Sequence, residues 1–366
     1  MKGKDGQVIQ QRKGYRDTIP VRKGEEIDIL KLDKFLVENI EGLNREAPLQ
    51  VEQFPAGASN LTYLIRKGDW EAVLRRPPLG PVAPRAHDMG REYLILKAVH
   101  PYFKLAPKPY LFTDNTTIIG SPFLIMERKN GHVINTEFPE GVTPTKELGE
   151  HICEKMIDTL VQLHAIDYRQ TEIKHIVKPE GFIERQVSGW IERYKRVKTD
   201  DIREVDELTK WLTSHIPQSP SPTIIHYDYK LNNIMFDFSF ENVIGLFDWE
   251  MTTVGDPLAD LGVALGYWVE KDDPDELKQG LSMITTLPGF MTREEMIEEY
   301  AKKSGRDISN IQFYLAFAYF KNAVIVQQIY YRYKRGQTQD KRFAALNKFT
   351  NQLIQLATKM IDKYKN

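Results

Sequence analysis

The chain has 366 residues, 41% hydrophobic and 28% charged, enough apolar material for a sizeable core in two domains or one two-lobed one. A net charge of −1 gives no ground for a nucleic-acid partner, and a single cysteine excludes an intramolecular disulfide and suits a reducing compartment. No segment approaches the roughly 18 apolar residues of a membrane span, and no apolar run follows the first charges, so a cytoplasmic protein without a membrane partner is expected.

Residues 1–27 form the first segment, expected as a flexible or loosely docked arm. Its polar, glycine-containing start carries Lys2, Lys4, Arg12, Lys13, Arg16, Arg22 and Lys23. "DILKLDKFLVENIEG" then places Leu32, Phe35, Leu36 and Ile40 at helical spacing, with Gly42 as a stop. Strands are predicted at Leu49–Phe54, Leu61–Arg66 and Glu71–Arg76, the first two joined by "PAGASN" and the last two by a "KGDW" turn. "PPLGPVAP" is a loop, because its prolines remove donors. Asp88 is placed to cap a helix holding Glu92, Leu94, Ile95 and Ala98; "PYLFT" and "SPFLIMER" supply two more strands. A first domain over 28–128 is therefore a small antiparallel sheet with one inserted helix.

From 129 to 366 the pattern is mainly helical. "KELGEHICEKMIDTLVQLHAID" holds a long 3.6-residue period that includes Cys153, read as a packing residue. Further helices are expected near 182–197, 204–215, 292–303, 311–335 and 341–364. Short strands at 223–225 and 234–236 and in "NVIGLFDWE" interrupt them. Strands first and helices second define an α+β, two-lobed plan. Residues 301–366 carry thirteen Lys and Arg against three Asp, a net +10, which leaves −11 for the rest. Such a segment is either a solvated helix face or an attractor of anions.

The chemistry concentrates in "TIIHYDYKLNNIMFD" (Thr223–Asp237), where His226, Asp228, Lys230 and Asn233 interrupt two apolar runs. Twenty residues after Asp228, Asp248 ends the run "VIGLF". Two carboxylates converging from strand ends repel unless a cation or proton lies between them. With the Asn233 amide they are hard oxygen donors suited to Mg²⁺. Bound metal and phosphate explain the set better than two solvated turns.

This spacing resembles the catalytic loop of kinases, His-x-Asp with Asn five positions after the Asp, followed by a metal-binding Asp at a strand end. "FDWEMTTVGDPLADLG" (Phe247–Gly262) and "LHAID" (Leu163–Asp167) are similar to the aminoglycoside phosphotransferase-like branch, in which Asp-Trp replaces Asp-Phe-Gly. "FPAGASNLTYLI", "AVLRRPP" and "FLIMER" look like phosphotransferase proteins related to the kinase-like part of acyl-CoA dehydrogenase fusion proteins. The resemblance implies a two-lobed protein-kinase-like fold, ATP (or GTP) with Mg²⁺ as cofactors, and a small-molecule hydroxyl as acceptor. It implies that Asp228 orients or deprotonates the hydroxyl, that Lys230 offsets phosphoryl charge, and that Asn233 and Asp248 hold the metal. Gly57, Ser59 and Asn60 stand where a phosphate-covering loop belongs, and Met126 and Glu127 where backbone groups meet adenine. Arg75, with Glu92 as partner, takes the position usually held by Lys, and its planar fork has a different reach. His226 is expected to brace the loop, and Asp256 and Asp260 to anchor it or cap the next helix.

A nucleotide-binding module without transferase activity is the alternative, favoured by Arg75 and opposed by the complete Asp228, Asn233 and Asp248 set. An aminoglycoside kinase is a further alternative, opposed by the basic final helices because its substrates are polycations. A carboxylated or CoA-linked hydroxy acid suits that charge better. A protein kinase is disfavoured, since no Asp-Phe-Gly and Ala-Pro-Glu pair brackets an activation loop.

Overall fold

The structure, a computed structural model, describes residues 17–55, 60–80, 87–218 and 221–365. It divides into two compact units, 1–93 with 109–128 and 94–108 with 129–366. Gly57 and Ser59 lie outside the described residues, as does the first part of the expected arm.

Unit one starts with residues 17–27 fastened to the sheet edge. Ile19 exchanges backbone hydrogen bonds with Gln53, and the Arg22 N–H donates to the Gln53 side chain at 2.9 Å. Helix α1 (Ile29–Asn39) is capped by Asp28, which accepts from the Lys31 N–H. Its Leu32 and Leu36, one turn apart, are fully buried against the sheet. Strands β1 (Leu49–Gln53), β2 (Leu61–Lys67) and β3 (Trp70–Arg76) follow, then helix α2 (Met89–Val99), then β4 (Pro109–Thr113) and β5 (Phe123–Glu127). All pairs are antiparallel and the sheet order is β1-β2-β3-β5-β4. As expected, Asp88 caps α2, accepting from the Arg91 N–H at 2.9 Å. Tyr63, Ile65, Leu74, Phe123 and Ile125 fill the core.

Unit two contains β6 (His132–Val133), α3 (Lys146–His164), α4 (Phe182–Val197), α5 (Glu204–Ser214), β7 (Thr223–Ile225), β8 (Ile234–Phe236), β9 (Val243–Leu246) and β10 (Thr253–Gly255). Helices α6 (Pro257–Gly266), α7 (Asp275–Gly280), α8 (Arg293–Ser304), α9 (Ile311–Lys334) and α10 (Leu346–Lys365) complete it. Strands β6 and β10 and helix α7 are additions to the sequence reading. The two strands span only two and three residues, too short for alternation to register. Cys153 is buried on α3 as expected, its thiol pushed up to about 12 by burial.

Helix α6 is buried at every position, with Asp256 as N-cap and Pro257 at its first turn. It packs against α9, and Gly262 is what lets the backbones approach. A Cβ there would stand 2.9 Å from the Tyr314 carbonyl oxygen and 3.0 Å from the Tyr314 Cβ, neither of which can swing away. Gly262→Ala is therefore expected to cost about 1–3 kcal/mol by overpacking, outweighing the helix preference of Ala over Gly, at most about 1 kcal/mol. The check is the urea midpoint, which should fall; an unchanged or higher midpoint would mean that the two helices have room to spare.

Candidate active site

The loop between β7 and β8 is carried by two separate small sheets. Strand β7 pairs with β10, and β8 lies between β6 and β9. The chain leaves β9 through Phe247, turns at Asp248 and returns beside β7 as β10. This route brings Asp248 back to the loop that holds Asp228. His226 and Phe247 are joined by a 2.8 Å hydrogen bond from the ring Nε2 to the carbonyl, and the Phe247 N–H donates to the Asn233 carbonyl at 2.9 Å.

Trp249 explains the Asp-Trp pair physically. Its side chain is buried, its indole N–H donates to the Leu246 carbonyl at 2.7 Å, and its ring meets the edge of His226 at 5.0 Å between centroids. With Trp249 held down, Asp248 adopts the left-handed backbone (φ 67°, ψ 62°), which is uncommon outside Gly and Asn. Tyr227 is left-handed too, at φ 64°. Backbone strain of this kind persists only where surrounding contacts over-determine it.

At Tyr227 those contacts come from Asp260, in the first turns of α6. Its Oδ2 accepts the His226 N–H at 2.6 Å, and its Oδ1 accepts the Tyr227 N–H at 2.8 Å. His164 meets the same Oδ2 through Nε2 at 3.2 Å, and through Nδ1 meets the Tyr300 hydroxyl at 2.8 Å. Burial alone would push the Asp260 carboxyl up, but the hydrogen bond and charge of His164 and the donors around His226 prevail and hold it below its usual value. His226 is fully buried, which drives it down despite the neighbouring carboxylates, so its ring is neutral near pH 7 and braces the turn. Asp256 caps α6, accepting from the Leu258 N–H at 2.8 Å; anchoring the loop falls to Asp260.

On this frame Asp228 is partly exposed. Its Oδ2 receives the Lys230 ammonium at 2.9 Å and the Asn233 amide N–H at 3.0 Å, and the same amide nitrogen donates to the Asp228 carbonyl at 2.8 Å. Because the Asn233 nitrogen faces Asp228, its Oδ1 is the atom turned to other duties. Lys230 also lies 5.0 Å from the ring centroid of Tyr267, whose hydroxyl is pushed up by burial and by the Asp228 charge. An amide oxygen and a carboxylate make a hard donor pair that fits Mg²⁺. No group of three or more His, Cys, Asp or Glu positioned for a metal occurs among the described residues. A cation here would complete its shell with phosphate and water oxygens, as Mg²⁺ commonly does.

Within unit one, the Arg75 Nη1 lies 2.5 Å from the Glu92 Oε1, a buried pair joining β3 to α2. Asn60 is buried, with its Oδ1 2.9 Å from the His87 ring. Met126 and Glu127 end β5, where Met126 is paired with Val73.

The sequence reading did not single out His164, Tyr267 or Lys321. Lys321 left a signal, a lone charge inside "YLAFAYFKNAVIV" on a helix buried nearly all round. The basic C-terminal segment resolves into separate fates. Lys303 pairs with Asp158 and Glu154, Lys334 with Asp200 and Arg342 with Asp340, while Lys321 points to the loop. A groove of about 900 Å³ along α3 and α8 is lined by six glutamates and by none of the loop residues, so chemistry and not volume locates the site. Among the described residues no helix is long and apolar enough to cross a membrane.

Comparison with known proteins agrees with this geometry. Residues 50–289 match the model of the phosphotransferase enzyme family. The chain is 32% identical over 346 residues to mouse acyl-CoA dehydrogenase family member 10 and 32% identical over 329 residues to human member 11. It covers 94% and 88% of itself in these matches but spans only 32% and 42% of those relatives' length. A provisionally named aminoglycoside phosphotransferase from Ralstonia eutropha superposes with a TM-score of 0.77 at 27% identity, covering 92% of this chain and 99% of that one. A choline kinase from Cryptosporidium parvum shares the fold, with a TM-score of 0.62 at 14% identity over 92% of this chain and 97% of that one. The chain belongs to the phosphotransferase enzyme family, and its mixed α and β architecture is the kinase-like fold of that family.

Proposed function

We propose that this protein transfers the terminal phosphoryl group of ATP to a hydroxyl of a small molecule. The observation that carries the reading is the convergence of Asp228, Lys230 and Asn233 on one braced loop tied to the turn at Asp248. Asp228 orients the acceptor hydroxyl and takes its proton as the new O–P bond forms and the bond to the ADP oxygen breaks. Lys230 lies against Asp228 and offsets charge on the moving phosphoryl group. Asn233 and Asp248 would hold Mg²⁺, which neutralises phosphate charge when bound. Arg75, fixed by Glu92, would meet the phosphates, with Gly57, Ser59 and Asn60 covering them and the Met126 and Glu127 backbone meeting the base.

The same positions support an anionic acceptor, such as a carboxylated or CoA-linked hydroxy acid. Lys230, the Lys321 ammonium and the exposed Arg193 set positive charge around Tyr227 and Asp228. This reading rests on those side chains and not on the final helices as a group, of whose cations Lys302, Lys303, Lys334 and Arg342 pair with acids elsewhere.

Nucleotide binding is expected to require a divalent cation. Calorimetry with ATP should show clear binding with Mg²⁺ and a large loss of affinity in EDTA; equal affinity in both would remove Asn233 and Asp248 from metal binding. Asp228→Asn should lower turnover by about 10²–10⁴-fold while nucleotide affinity stays within a few-fold, and a variant that keeps most of its turnover would strip Asp228 of its role. Nucleotide binding with no turnover on any acceptor would instead favour a binding module. Initial rates with anionic, neutral and amino-sugar hydroxyl compounds test the acceptor. Anionic compounds should lead, and their advantage should shrink with salt, because exposed charges are screened over about 8 Å at physiological ionic strength. A preference for a cationic amino sugar would assign the aminoglycoside reading.

A further inference from the structure

Helix α9 runs through the core of unit two, and from Phe313 to Val324 every residue is buried. Two of them break its apolar surface. Asn322 is satisfied, donating to the Gly266 carbonyl at the end of α6 at 3.1 Å. Lys321 is only 3% exposed, and its ammonium reaches the Tyr227 carbonyl at 3.3 Å and lies 3.9 Å from the centre of the Tyr227 ring. The Trp190 ring of α4 stands 5.9 Å away. Charged groups face this ammonium from the loop, α6 and α4. Asp228 and Asp260 attract it from the loop and α6, and Lys230 and Arg193 repel it from the loop and α4.

Burial of an ammonium with one hydrogen-bond partner and two aromatic faces is costly, and a methionine would fill similar space without that cost. Stability alone therefore gives no reason for a cation at 321. Geometry does. The Tyr227 carbonyl belongs to the peptide that enters Asp228, and Tyr227 holds a left-handed backbone. Asp260 secures the N–H of Tyr227 and Lys321 its C=O, so a carboxylate and an ammonium from two helices grip the residue from opposite ends.

We propose that Lys321 is a positioning residue for phosphoryl transfer: its ammonium fixes the peptide that aims Asp228, and holds it most firmly while charged. The proposal rests on the phosphotransferase reading above. Burial drives the Lys321 ammonium down to about 8, against the pull of Asp228 and Asp260. The hold is therefore at full strength at pH 7 and weakens as pH rises past about 8, where only an uncharged N–H donor is left, well below the roughly 10.4 of an exposed lysine. Between those values the unfolded chain binds the extra proton. The stability cost of the buried ammonium is thus full below about pH 8 and fades toward pH 10.

The test uses the full chain with Mg²⁺ and ATP, water as the acceptor, and release of inorganic phosphate as the rate. The native protein should show an alkaline fall in kcat near pH 8. Lys321→Met should lower kcat at pH 7 by about tenfold or more, as expected for a catalytic group shifted by an ångström or less, with the KM for ATP within twofold and the alkaline fall absent. Its melting temperature at pH 7 should equal or exceed the native one, the gap closing as pH approaches 10. Lys321→Arg should recover part of the rate and carry it past pH 9. A Met variant with native kcat and a native pH profile would overturn the proposal. So would a rate loss that tracks a lowered melting temperature while the native profile stays flat through pH 8, which is the behaviour of a packing residue. Failure of the underlying reading looks different: Asp228→Asn would then release phosphate as fast as the native chain.

Discussion

The site in unit two depends on the Asp260 carboxylate. Removing a carboxylate wholly from water is unfavourable unless donors replace the lost hydration. Here two consecutive backbone N–H groups and His164 supply them, and Tyr300 steadies His164 in turn. The arrangement converts a desolvation cost into geometry. A single side chain that accepts from neighbouring residues leaves the chain between them one course, and that course includes the left-handed Tyr227. Asp228, Lys230 and Asn233 follow within six residues, too close to choose another direction.

The packing of α6 serves the same end. Asp260 can act as a dry anchor because every residue of the helix is buried, and the helix can sit so deep because Gly262 admits the backbone of α9. The helix begins where Asp256 and Pro257 dictate, which sets the turn on which Asp260 projects. On the other side, the Asp248 turn is tied to the loop by the Trp249–His226 ring contact, the His226 ring bond to the Phe247 carbonyl and the Phe247 N–H bond to the Asn233 carbonyl. Three carboxylates, Asp228, Asp248 and Asp260, thus occupy one neighbourhood with Lys230 and Lys321 as their counterweights.

Unit one applies the same economy to cations. Arg75 and Glu92 come from different elements and form a buried pair, and Arg76 beside it donates to the Glu25 and Ile119 carbonyls and the Tyr63 hydroxyl, binding residues 17–27 to the sheet. Adjacent strand residues point to opposite faces, so the two arginines of "LRR" serve different purposes. Arginine suits both positions because its fork supplies several donors at once.

Much of this was legible in the chain. Short apolar runs bounded by turn residues located β1 to β5, and the 3.6-residue period located α1, α3, α4, α5 and α8, because burial on one face imposes a repeat that residue types record; α9, buried nearly all round, showed as a long apolar helical run. The spacing of His226, Asp228, Lys230, Asn233 and Asp248 was legible because a short loop between strands keeps its offsets in space. The net charge of residues 301–366 was legible as a sum and uninformative as a field, since most of those side chains meet acids elsewhere in unit two or water. Strands β6 and β10, of two and three residues, were invisible because they carry neither a repeated alternation nor an apolar run like those of β7 and β8. Asp260 was legible as an anchor of the loop or a cap of the next helix, but the backbone groups it grips, its partner His164 and the part of Lys321 were not. Asp260 lies 34 residues from His226, His164 lies 96 from Asp260, and Lys321 lies 94 from Tyr227. Sequence determines which groups are available and, over a few residues, their order along an element. Which distant groups share one dry space is decided by the packing of helices α3, α6 and α9, because only burial makes a carboxylate or an ammonium seek a particular backbone group instead of water.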